Sequence, residues 1–332
     1  MTWLITGGAG YIGAHVVRCL RSAGHEVAVL DDLSNGVREF VPPDVPFVLG
    51  SVASAQDVDR ALAVVPEGGR VAGVVHLAGY KFAGESVDRP LHTFEQNVTG
   101  TRVLLERMVE HGVDALVFSS TAACYGTPDV DLVTEATPTR PESPYGESKL
   151  VAEWMIRDVA RAHGLRQTCL RYFNVVGTGA PELSDRSAHN LFPIVLQALG
   201  EGRAPQVFGT DYPTPDGSCV RDYVHVQDLA VAHVAAVDAL AAGRPLEPVY
   251  NLGSGDGTSV LEVMAAARKV TGINFAAELR GRRAGDPARV VASGELAARD
   301  LGWAMRHDLE QTLAGSWVAW QAAGLAAGAA QV

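Results

Sequence analysis

Short apolar segments and longer amphipathic segments alternate along the first half of the chain. Apolar runs typical of buried strands occupy Thr2 to Ile5, Glu26 to Leu30, Val45 to Leu49, Val71 to Leu77, Ala115 to Ser119 and Gln167 to Tyr172. Between the runs at Val71 to Leu77 and Ala115 to Ser119, the segment from Pro90 to His111 repeats apolar residues at the spacing of one helix face and ends at Gly112. This alternation predicts an α/β fold with a doubly wound parallel sheet.

The first predicted strand leads directly into a glycine-rich turn. Gly7, Gly10 and Gly13 recur at intervals of three residues before a helical segment, so that backbone N–H groups and a helix N-terminus can meet a pyrophosphate. The second strand ends in Asp31, where a carboxylate would bind the ribose hydroxyls of NAD. Asp31 and Asp32 would repel the extra phosphate of NADP. An aspartate satisfied only by loop N–H groups is the alternative, and the combination with the glycine turn favours NAD and a Rossmann sheet.

A second motif lies near the middle of the chain. Ser143 and Pro144 are good first residues for a helix, which places Tyr145 and Lys149 one turn apart on the same face. A phenol loses its proton near pH 10, so it is a poor base at neutral pH unless a positive charge stabilises the phenolate. We therefore expect Lys149 to lower the pKa of Tyr145. An isolated Tyr-x-x-x-Lys match is more often a surface pair, and the glycine turn changes that judgement.

The second half of the chain has a looser pattern, rich in Gly, Pro and Asp. Helical segments are expected near His189 to Gly200 and Gln227 to Leu240, and a strand at Val249 to Leu252. The glycines from Gly253 to Gly257 lack the ending of a phosphate-binding loop, so a structural turn is favoured there. We expect an NAD-binding Rossmann domain over residues 1–173, to which 222–253 return, and a smaller α/β substrate domain mainly over 174–332.

Composition excludes several classes of protein. The 332 residues are 47% hydrophobic and 20% charged, and the net charge of −11 argues against nucleic acid or an anionic membrane surface as partner. Four scattered cysteines show no metal-binding spacing, so we expect no metal and reduced thiols in a cytoplasm. No signal peptide is indicated, because the first strand begins at Thr2. The uncharged stretch after Glu310 is expected to be a final helix capped by Asp308 and then a loose tail, not a membrane span.

Several further motifs together resemble one family. They are the glycine turn, Asp31, His76 to Lys81, Glu85 to Val87, Asn97 to Thr101, Phe118 to Thr121, the pair Tyr145 and Lys149, Leu170 to Asn174 and Val220 to His225. In this combination the chain resembles the UDP-glucose 4-epimerases, which belong to the extended branch of the short-chain dehydrogenase/reductase superfamily. The matches run from residue 2 to about residue 320, and the stretch from Lys81 to Pro90 is much more specific than any motif shared by the whole superfamily.

The resemblance implies interconversion of UDP-glucose and UDP-galactose. One tightly held NAD would accept a hydride from carbon 4 of the hexose and return it to the opposite face of a bound 4-keto sugar. Tyr145 would be the base, Lys149 would bind the nicotinamide ribose, and Thr121 would orient the 4-hydroxyl group. Many members have Ser at the position of Thr121, and Thr keeps the hydroxyl group. A Thr satisfied by backbone alone is the alternative.

The resemblance also assigns binding residues. Positions expected to contact NAD are Gly7, Gly10, Tyr11, Ile12, Gly13, Asp31, Asn35, Ser51, Leu77, Ala78, Gly79, Lys81, Asn97, Ser119, Tyr145, Lys149 and Tyr172. Those expected to contact the UDP-sugar are Lys81, Thr121, Tyr145, Phe173, Asn174, Asn190, Leu191, Phe208, Arg221, Arg283 and Asp286. Arg221 and Arg283 suit a diphosphate, because guanidinium offers paired donors to phosphate oxygens.

Two positions depart from what the family usually carries. Ser51 stands where an acidic residue commonly contacts adenine, so we expect a looser grip on NAD. Val290 lies near where some relatives carry a bulky tyrosine, so we expect N-acetylated sugars to be admitted.

Other readings and the assembly remain open. A nucleotide-sugar 4,6-dehydratase or decarboxylase would need an acid pair beside Thr121, where the chain has Ala122 to Cys124. A non-catalytic dinucleotide-sensing module would not need Tyr145, Lys149 and Thr121 together. By resemblance, a homodimer built on the helices near Pro90 to His111 and Tyr145 to His163 is expected.

Overall fold

The structure is a computed structural model that describes residues 1–65, 69–185, 190–283 and 286–322. Its helices are α1 (Tyr11–Ser22), α2 (Ala55–Leu62), α3 (Ala83–Asp88), α4 (Pro90–Phe94), α5 (Gly100–Glu110), α6 (Pro144–His163), α7 (Leu191–Gly200), α8 (Val226–Ala241), α9 (Val260–Thr271), α10 (Glu295–Leu301) and α11 (Leu309–Ala322). Its strands are β1 (Thr2–Thr6), β2 (Glu26–Asp31), β3 (Phe47–Leu49), β4 (Val71–His76), β5 (Ala115–Ser119), β6 (Arg166–Tyr172), β7 (Asn174–Val176), β8 (Gln206–Phe208), β9 (Val220–Arg221), β10 (Tyr223–His225), β11 (Val249–Leu252), β12 (Thr258–Ser259), β13 (Glu278–Arg280) and β14 (Arg289–Val290).

A seven-stranded parallel sheet forms the centre of the molecule. Its strand order is β11-β6-β5-β4-β1-β2-β3, and each neighbouring pair is parallel. The strand order reverses direction between β1 and β4, so their carboxyl ends open a crevice at a topological switch point. The predicted α/β fold with a doubly wound sheet is thereby confirmed.

The sheet is covered by apolar side chains on both faces. One core cluster includes Trp3, Ile5 and Val29, and the other includes Leu4, Leu30 and Leu116, so successive residues of β1 point to opposite layers. Burial on both faces explains why the strands read as nearly continuous apolar runs in the sequence.

Two element boundaries differ from the expectation. The third strand begins at Phe47 and not at Val45, because the Val45 N–H group donates to the Pro42 carbonyl in a turn. The long helix expected over Pro90 to His111 is interrupted by a π-helical turn at Glu95–Thr99. Such turns insert one residue into the helical pattern, and here Asn97 lies within it.

Part of the later chain rejoins the central sheet. Helix α8 packs against α1, and β11 pairs with β6 at the edge of the sheet. We therefore propose that the cofactor domain consists of residues 1–173 together with 222–253, and that 174–332 form mainly the substrate domain. Within the described ranges, three small sheets, β10-β7, β12-β9-β14 and β13-β8, lie outside the central one.

The remaining turns and the last helix follow local chemistry. Gly253 to Gly257 form a turn in which the Ser254 N–H group donates to the Asp222 carboxylate, and none of these residues lines the cavity that opens at the carboxyl ends of the central strands. Helix α11 is capped by Asp308, whose Oδ1 accepts from the Gln311 N–H group at 2.8 Å. The expected tail after it lies outside the described residues. None of the described helices is long and apolar enough to cross a membrane.

Candidate active site

A cavity of about 1010 Å³ opens at the carboxyl ends of the central strands. Its wall includes the glycine turn after β1, the loop after β2, the loop after β4 and the start of α6. This volume is at the upper end of the range for small-molecule sites, and the position is the one at which open parallel sheets bind ligands.

The glycine turn brings backbone very close to backbone. A Cβ atom at Gly7 would lie 2.7 Å from the Ala78 nitrogen, and one at Gly13 would lie 2.1 Å from the Gly7 carbonyl oxygen. Gly10 is the N-cap of α1 and offers no side chain, so the first N–H groups of that helix face the cavity uncapped. A helix N-terminus in this state is a site for a phosphate anion.

Asp31 faces the cavity and also holds its own loop. Its side chain lines the cavity, and its carboxylate oxygens also accept from the Ala9 N–H group at 2.9 Å and the Leu33 N–H group at 2.8 Å. Burial raises the pKa of this carboxyl, and the two backbone hydrogen bonds act against that rise. The loop is thus held in place by the same carboxylate that faces the cavity.

Ser51 also lines the cavity but has its own partners. Its hydroxyl oxygen accepts from the Ala53 N–H group at 3.2 Å, and its N–H group donates to Asp57 at 3.0 Å. Part of the hydrogen-bonding capacity of the hydroxyl group is therefore committed to the local turn.

Helix α6 begins as the sequence predicts. The Ser143 hydroxyl accepts from the Gly146 N–H group at 3.2 Å, Pro144 occupies the first turn, and Gly164 ends the helix in the left-handed region. Tyr145 in the first turn and Lys149 in the second both line the cavity.

The three candidate catalytic side chains are brought together. Thr121 follows β5, its hydroxyl oxygen accepts from the Ala123 N–H group at 3.1 Å, and its side chain is close enough to Tyr145 to lower the pKa of that phenol. The Lys149 ammonium donates to the Ser119 carbonyl at 3.1 Å. A phenol, a hydroxyl group and an ammonium group therefore share one wall.

The pKa of Tyr145 differs in direction from the expectation. Burial raises it to about 12, and the hydrogen bond with Thr121 only partly opposes the rise. The prediction that Lys149 lowers this pKa was therefore wrong for the protein by itself, because desolvation of the phenolate dominates. Burial also lowers the pKa of Lys149 to about 8, with the Cys124 thiol and then the Glu153 carboxylate acting in the opposite direction.

Most of the residues predicted for the site line this cavity. They are Gly7, Gly10, Tyr11, Ile12, Gly13, Asp31, Asn35, Ser51, Leu77, Ala78, Gly79, Lys81, Thr121, Tyr145, Lys149, Tyr172, Phe173, Asn174 and Asn190. Seven others do not line it: Asn97, Ser119, Leu191, Phe208, Arg221, Arg283 and Asp286.

Asn97 and Ser119 lie behind the wall. The Asn97 amide bonds both backbone groups of Tyr80 and donates to the Ser148 hydroxyl at 2.8 Å, which in turn donates to the Tyr145 carbonyl. The Ser119 hydroxyl bonds to His233 at 2.8 Å. Both residues therefore hold the site in place from behind, since these protein contacts satisfy their polar atoms. Leu191 instead packs in two apolar clusters of the second half.

The arginines expected to hold a diphosphate have protein partners. Arg221 donates to Asp286 at 2.6 Å, and the Arg283 guanidinium lies 3.8 Å from the centroid of the Phe208 ring. The backbone next to Arg221 contacts the cavity wall, because the carbonyl of Asp222 accepts from the side chain of Asn174, which lines the cavity.

The structure adds residues that sequence reasoning missed. The cavity wall also contains Tyr80, Phe82, Glu85, Arg89, His92, Gln96, Ser184 and Asp185. The Tyr80 hydroxyl donates to Glu85 at 2.5 Å, and the His92 ring packs edge-on against Tyr80 at 4.9 Å. The spacing of Arg89, His92 and Gln96 along a helical segment was a signal that could have placed them on one face. Among the described residues, no group of three His, Cys, Asp or Glu side chains could hold a metal ion.

The glycine cradle, the uncapped helix and Asp31 fit a dinucleotide, and comparison with known proteins agrees. The chain belongs to the NAD dependent epimerase/dehydratase family, whose model matches residues 3–253. It is 45% identical over 320 residues to the UDP-glucose 4-epimerase of Corynebacterium glutamicum. The aligned region covers 96% of this chain and 95% of that relative.

Solved structures give the same result. The UDP-glucose 4-epimerase from Brucella ovis in complex with NAD is similar with a TM-score of 0.90 at 36% identity, over 95% of this chain and 97% of that one. The enzyme from Bifidobacterium longum in complex with NAD⁺ and UDP has a TM-score of 0.87 at 35% identity, over 98% and 100%. The resemblance seen in the sequence is confirmed, and the chain is an NAD-dependent enzyme of this family.

Proposed function

We propose that this enzyme interconverts UDP-glucose and UDP-galactose, with Tyr145 as the base that removes the proton of the sugar 4-hydroxyl group. The observation that carries the proposal is the convergence of Tyr145, Thr121 and Lys149 on the wall of the cavity that also contains the glycine turn. The similarity to UDP-glucose 4-epimerases over nearly the whole chain supports the choice of substrate.

The residues divide the work by position. The glycine turn and the N-terminus of α1 would hold the pyrophosphate of NAD, and Asp31 would hold a ribose. Bound NAD supplies the acceptor for the hydride that leaves carbon 4. Thr121 orients the 4-hydroxyl group, and Tyr145 takes its proton as the carbonyl forms. Tyr145 would return the proton to the oxygen, and with NAD as both acceptor and donor of the hydride the turnover would be redox-neutral.

The raised pKa of Tyr145 means that the base is not active in the protein alone. Two positive charges would stabilise its phenolate in the working complex: the Lys149 ammonium and the nicotinamide ring. Lys149 is charged below a pH of about 8. We therefore expect activity to fall at alkaline pH, as this ammonium loses its proton.

The uridine diphosphate is proposed to bind beside Asn174 and Asn190, close to Arg221 and Arg283. Binding would exchange the contacts of these arginines with Asp286 and Phe208 for contacts with phosphate oxygens, which guanidinium groups bind in pairs.

Proton NMR of the purified protein with UDP-galactose and no added NAD tests the function. Appearance of UDP-glucose in the wild type is expected, with a loss of about 10²- to 10⁴-fold in Tyr145→Phe, because that variant lacks the proton acceptor. Parallel measurement of bound NAD shows that the variant still holds its cofactor. No conversion after NAD is supplied would contradict the assignment and favour another nucleotide sugar or the sensing module.

Acceptance of N-acetylated sugars is a second part of the proposal. Val290 packs against the cluster that contains Phe173, which lines the cavity. A valine leaves more room there than a tyrosine would. Turnover of UDP-N-acetylglucosamine at millimolar concentration is expected, and Val290→Tyr should remove it while UDP-galactose is still converted. Absence of turnover in the wild type would refute this part.

We also propose a homodimer through an apolar groove between α5 and α6. Its floor contains Leu105, Val109, Met155 and Val159, and charged residues of both signs form its rim. A second copy related by two-fold symmetry can place the same floor against it and pair opposite charges. Met155→Glu should give a monomer by light scattering, whereas Val318→Glu, at an exposed apolar position on α11, should not. A monomeric wild type would contradict the proposal.

A cytoplasmic location is proposed on the basis of the four cysteines, all of which are free. Cell fractionation checks this assignment, and recovery outside the cytoplasm would contradict it.

A further inference from the structure

A buried ion pair lies directly behind the wall that carries the candidate catalytic residues. Glu153 on α6 is one helical turn after Lys149, and it faces Arg171 on β6, with both side chains only 6% exposed. Arg171 donates to the two carboxylate oxygens at 2.5 and 2.9 Å. Removing two charges from water costs several kcal/mol, and a packed apolar pair would often stabilise a core equally well. Stability alone is therefore a weak reason for this pair.

The pair holds the segment around Thr121 at both ends. On one side, the Ser120 hydroxyl donates to Glu153 at 2.5 Å. On the other side, Arg171 donates to the Tyr125 hydroxyl at 2.9 Å, and Tyr125 ends the turn that begins after Thr121. One carboxylate of α6 is thus linked to the residue before Thr121 and, through Arg171, to the end of the turn that follows it.

The far end of this network is anchored in the later chain. The Tyr125 hydroxyl donates to the Asn251 side chain at 2.7 Å, and the Asn251 amide donates to the Val133 carbonyl at 3.3 Å. The Tyr125 hydroxyl and both polar atoms of the Asn251 side chain have partners, so the segment has little freedom to shift.

The carboxylate also acts on Lys149 through its charge. Burial alone disfavours the ammonium form, and Glu153 acts in the opposite direction. Other titratable groups that interact with Lys149 include the Cys124 thiol from the turn, the Cys169 thiol from β6 and the neutral His76 ring from β4, and Tyr145 on the same helix lines the same cavity. Burial raises the pKa of both thiols, so Glu153 is the anion among these groups.

We propose that Glu153 is a positioning residue for the epimerisation, which holds the segment of Thr121 beside Tyr145 through Ser120 and Arg171 and places a carboxylate one helical turn from Lys149. The inference rests on the proposed roles of Tyr145, Lys149 and Thr121. It assigns a function to a side chain that touches neither substrate nor cofactor.

The chain offers a direct test, because it contains only three lysines, Lys81, Lys149 and Lys269. With isotope-labelled lysine, NMR resolves three side-chain titrations, and Lys149→Met identifies one of them. In Glu153→Gln the Lys149 midpoint should move to lower pH by about one unit, since a neighbouring opposite charge is lost. Glu147→Gln is the matched control, because it removes a carboxylate from the exposed face of the same helix. It should leave the midpoint in place.

The pH profile of the reaction is the second readout. The alkaline limb of kcat in Glu153→Gln should move in the same direction, and kcat at its optimum should fall about ten- to a hundredfold through misplacement of Thr121. Ser120→Ala should lower kcat without moving the alkaline limb of the pH profile, because it removes the hydrogen bond to Glu153 and leaves the charge of that carboxylate in place. Glu153→Gln combined with Arg171→Met should keep the shifted limb while it recovers thermal stability, because no charge is left unpaired. The same double variant serves if the single one fails to fold.

Coincident Lys149 midpoints in wild type and Glu153→Gln, with activity loss equal to loss of folded protein, would overturn the inference and leave a purely structural pair. Failure of the proposed function is distinguishable, because it would appear as an inactive wild type or an active Tyr145→Phe. The lysine titration does not depend on catalysis.

Discussion

Four buried histidines predict that the fold is sensitive to mild acid. His15, His76, His225 and His233 are each at most 3% exposed, and burial lowers their pKa values to about 4, 3, 4 and 4. Hydrogen bonds explain why a second proton is unfavourable. One nitrogen of His15 accepts from the Gly179 N–H group.

The other three rings are fixed in the same way. A nitrogen of His225 accepts from the Gln227 N–H group. His76 lies between the hydroxyls of Thr6 and Thr101. Because the Thr101 hydroxyl already donates to the Asn97 carbonyl, it accepts from one ring nitrogen of His76. The other ring nitrogen then accepts from the Thr6 hydroxyl. His233 donates to the Leu229 carbonyl, so its other nitrogen accepts from Ser119. Protonation would break one of these bonds in each case.

The direction of the effect follows from linkage. As the pH falls, a histidine in the unfolded chain binds its proton near pH 6.5, whereas the buried histidine in the folded protein binds it only near pH 4. The contribution of the neutral histidine to the free energy of unfolding is therefore complete above pH 6.5 and is lost as the pH falls towards 4. Below pH 6.5 each histidine lowers the free energy of unfolding by about 1.4 kcal/mol per pH unit. At pH 5 the loss for the four histidines together is about 8 kcal/mol. That is comparable with the whole stability of a typical domain, about 5–15 kcal/mol. The buried carboxyls of Asp31 and Asp222, whose pKa values are raised, act in the opposite sense, so this figure is an upper one.

Urea unfolding at pH 7, 6 and 5 with a fixed concentration of NAD measures the effect, with tryptophan fluorescence as the signal. In His233→Gln the slope of unfolding free energy against pH should decrease by about 1.4 kcal/mol per unit. His163→Gln is the control, because His163 is exposed at the end of α6. A free energy at pH 5 within about 2 kcal/mol of the value at pH 7 would refute the reasoning.

Two further predictions concern the cofactor. Gly13→Ala should abolish NAD binding, as measured by calorimetry, because its Cβ atom would lie 2.1 Å from the Gly7 carbonyl oxygen. Gly24→Ala, at an open turn with positive φ, is the control for general destabilisation. Unchanged NAD affinity in Gly13→Ala would show that the glycine turn does not hold the cofactor. Wild-type protein should lose part of its NAD on long dialysis, because the Ser51 hydroxyl is a weaker acceptor than a carboxylate and already serves Ala53, whereas Ser51→Asp should retain more. Complete retention by the wild type, measured from the cofactor released on denaturation, would contradict this expectation.

The sequence alone determined those features that depend on residues close together in the chain. The glycine turn, the cap at Ser143 and the spacing of Tyr145 and Lys149 are local, because turn geometry, helix capping and helical periodicity each involve only a few neighbouring residues. The alternation of strands and helices likewise predicts the parallel sheet, since crossover connections leave few other arrangements. The family resemblance rested on these same local motifs.

Tertiary structure decided everything that joins distant segments. Asn97 turned out to support Tyr80 and Ser148 from behind the cavity, and the pairing of Glu153 with Arg171 linked a helix to a strand. The raised pKa of Tyr145 has the same origin, because burial is a property of the packed molecule. No local pattern encodes such contacts: they depend on which faces of α6, β6 and the turn after Thr121 meet, and packing of the whole chain sets that arrangement.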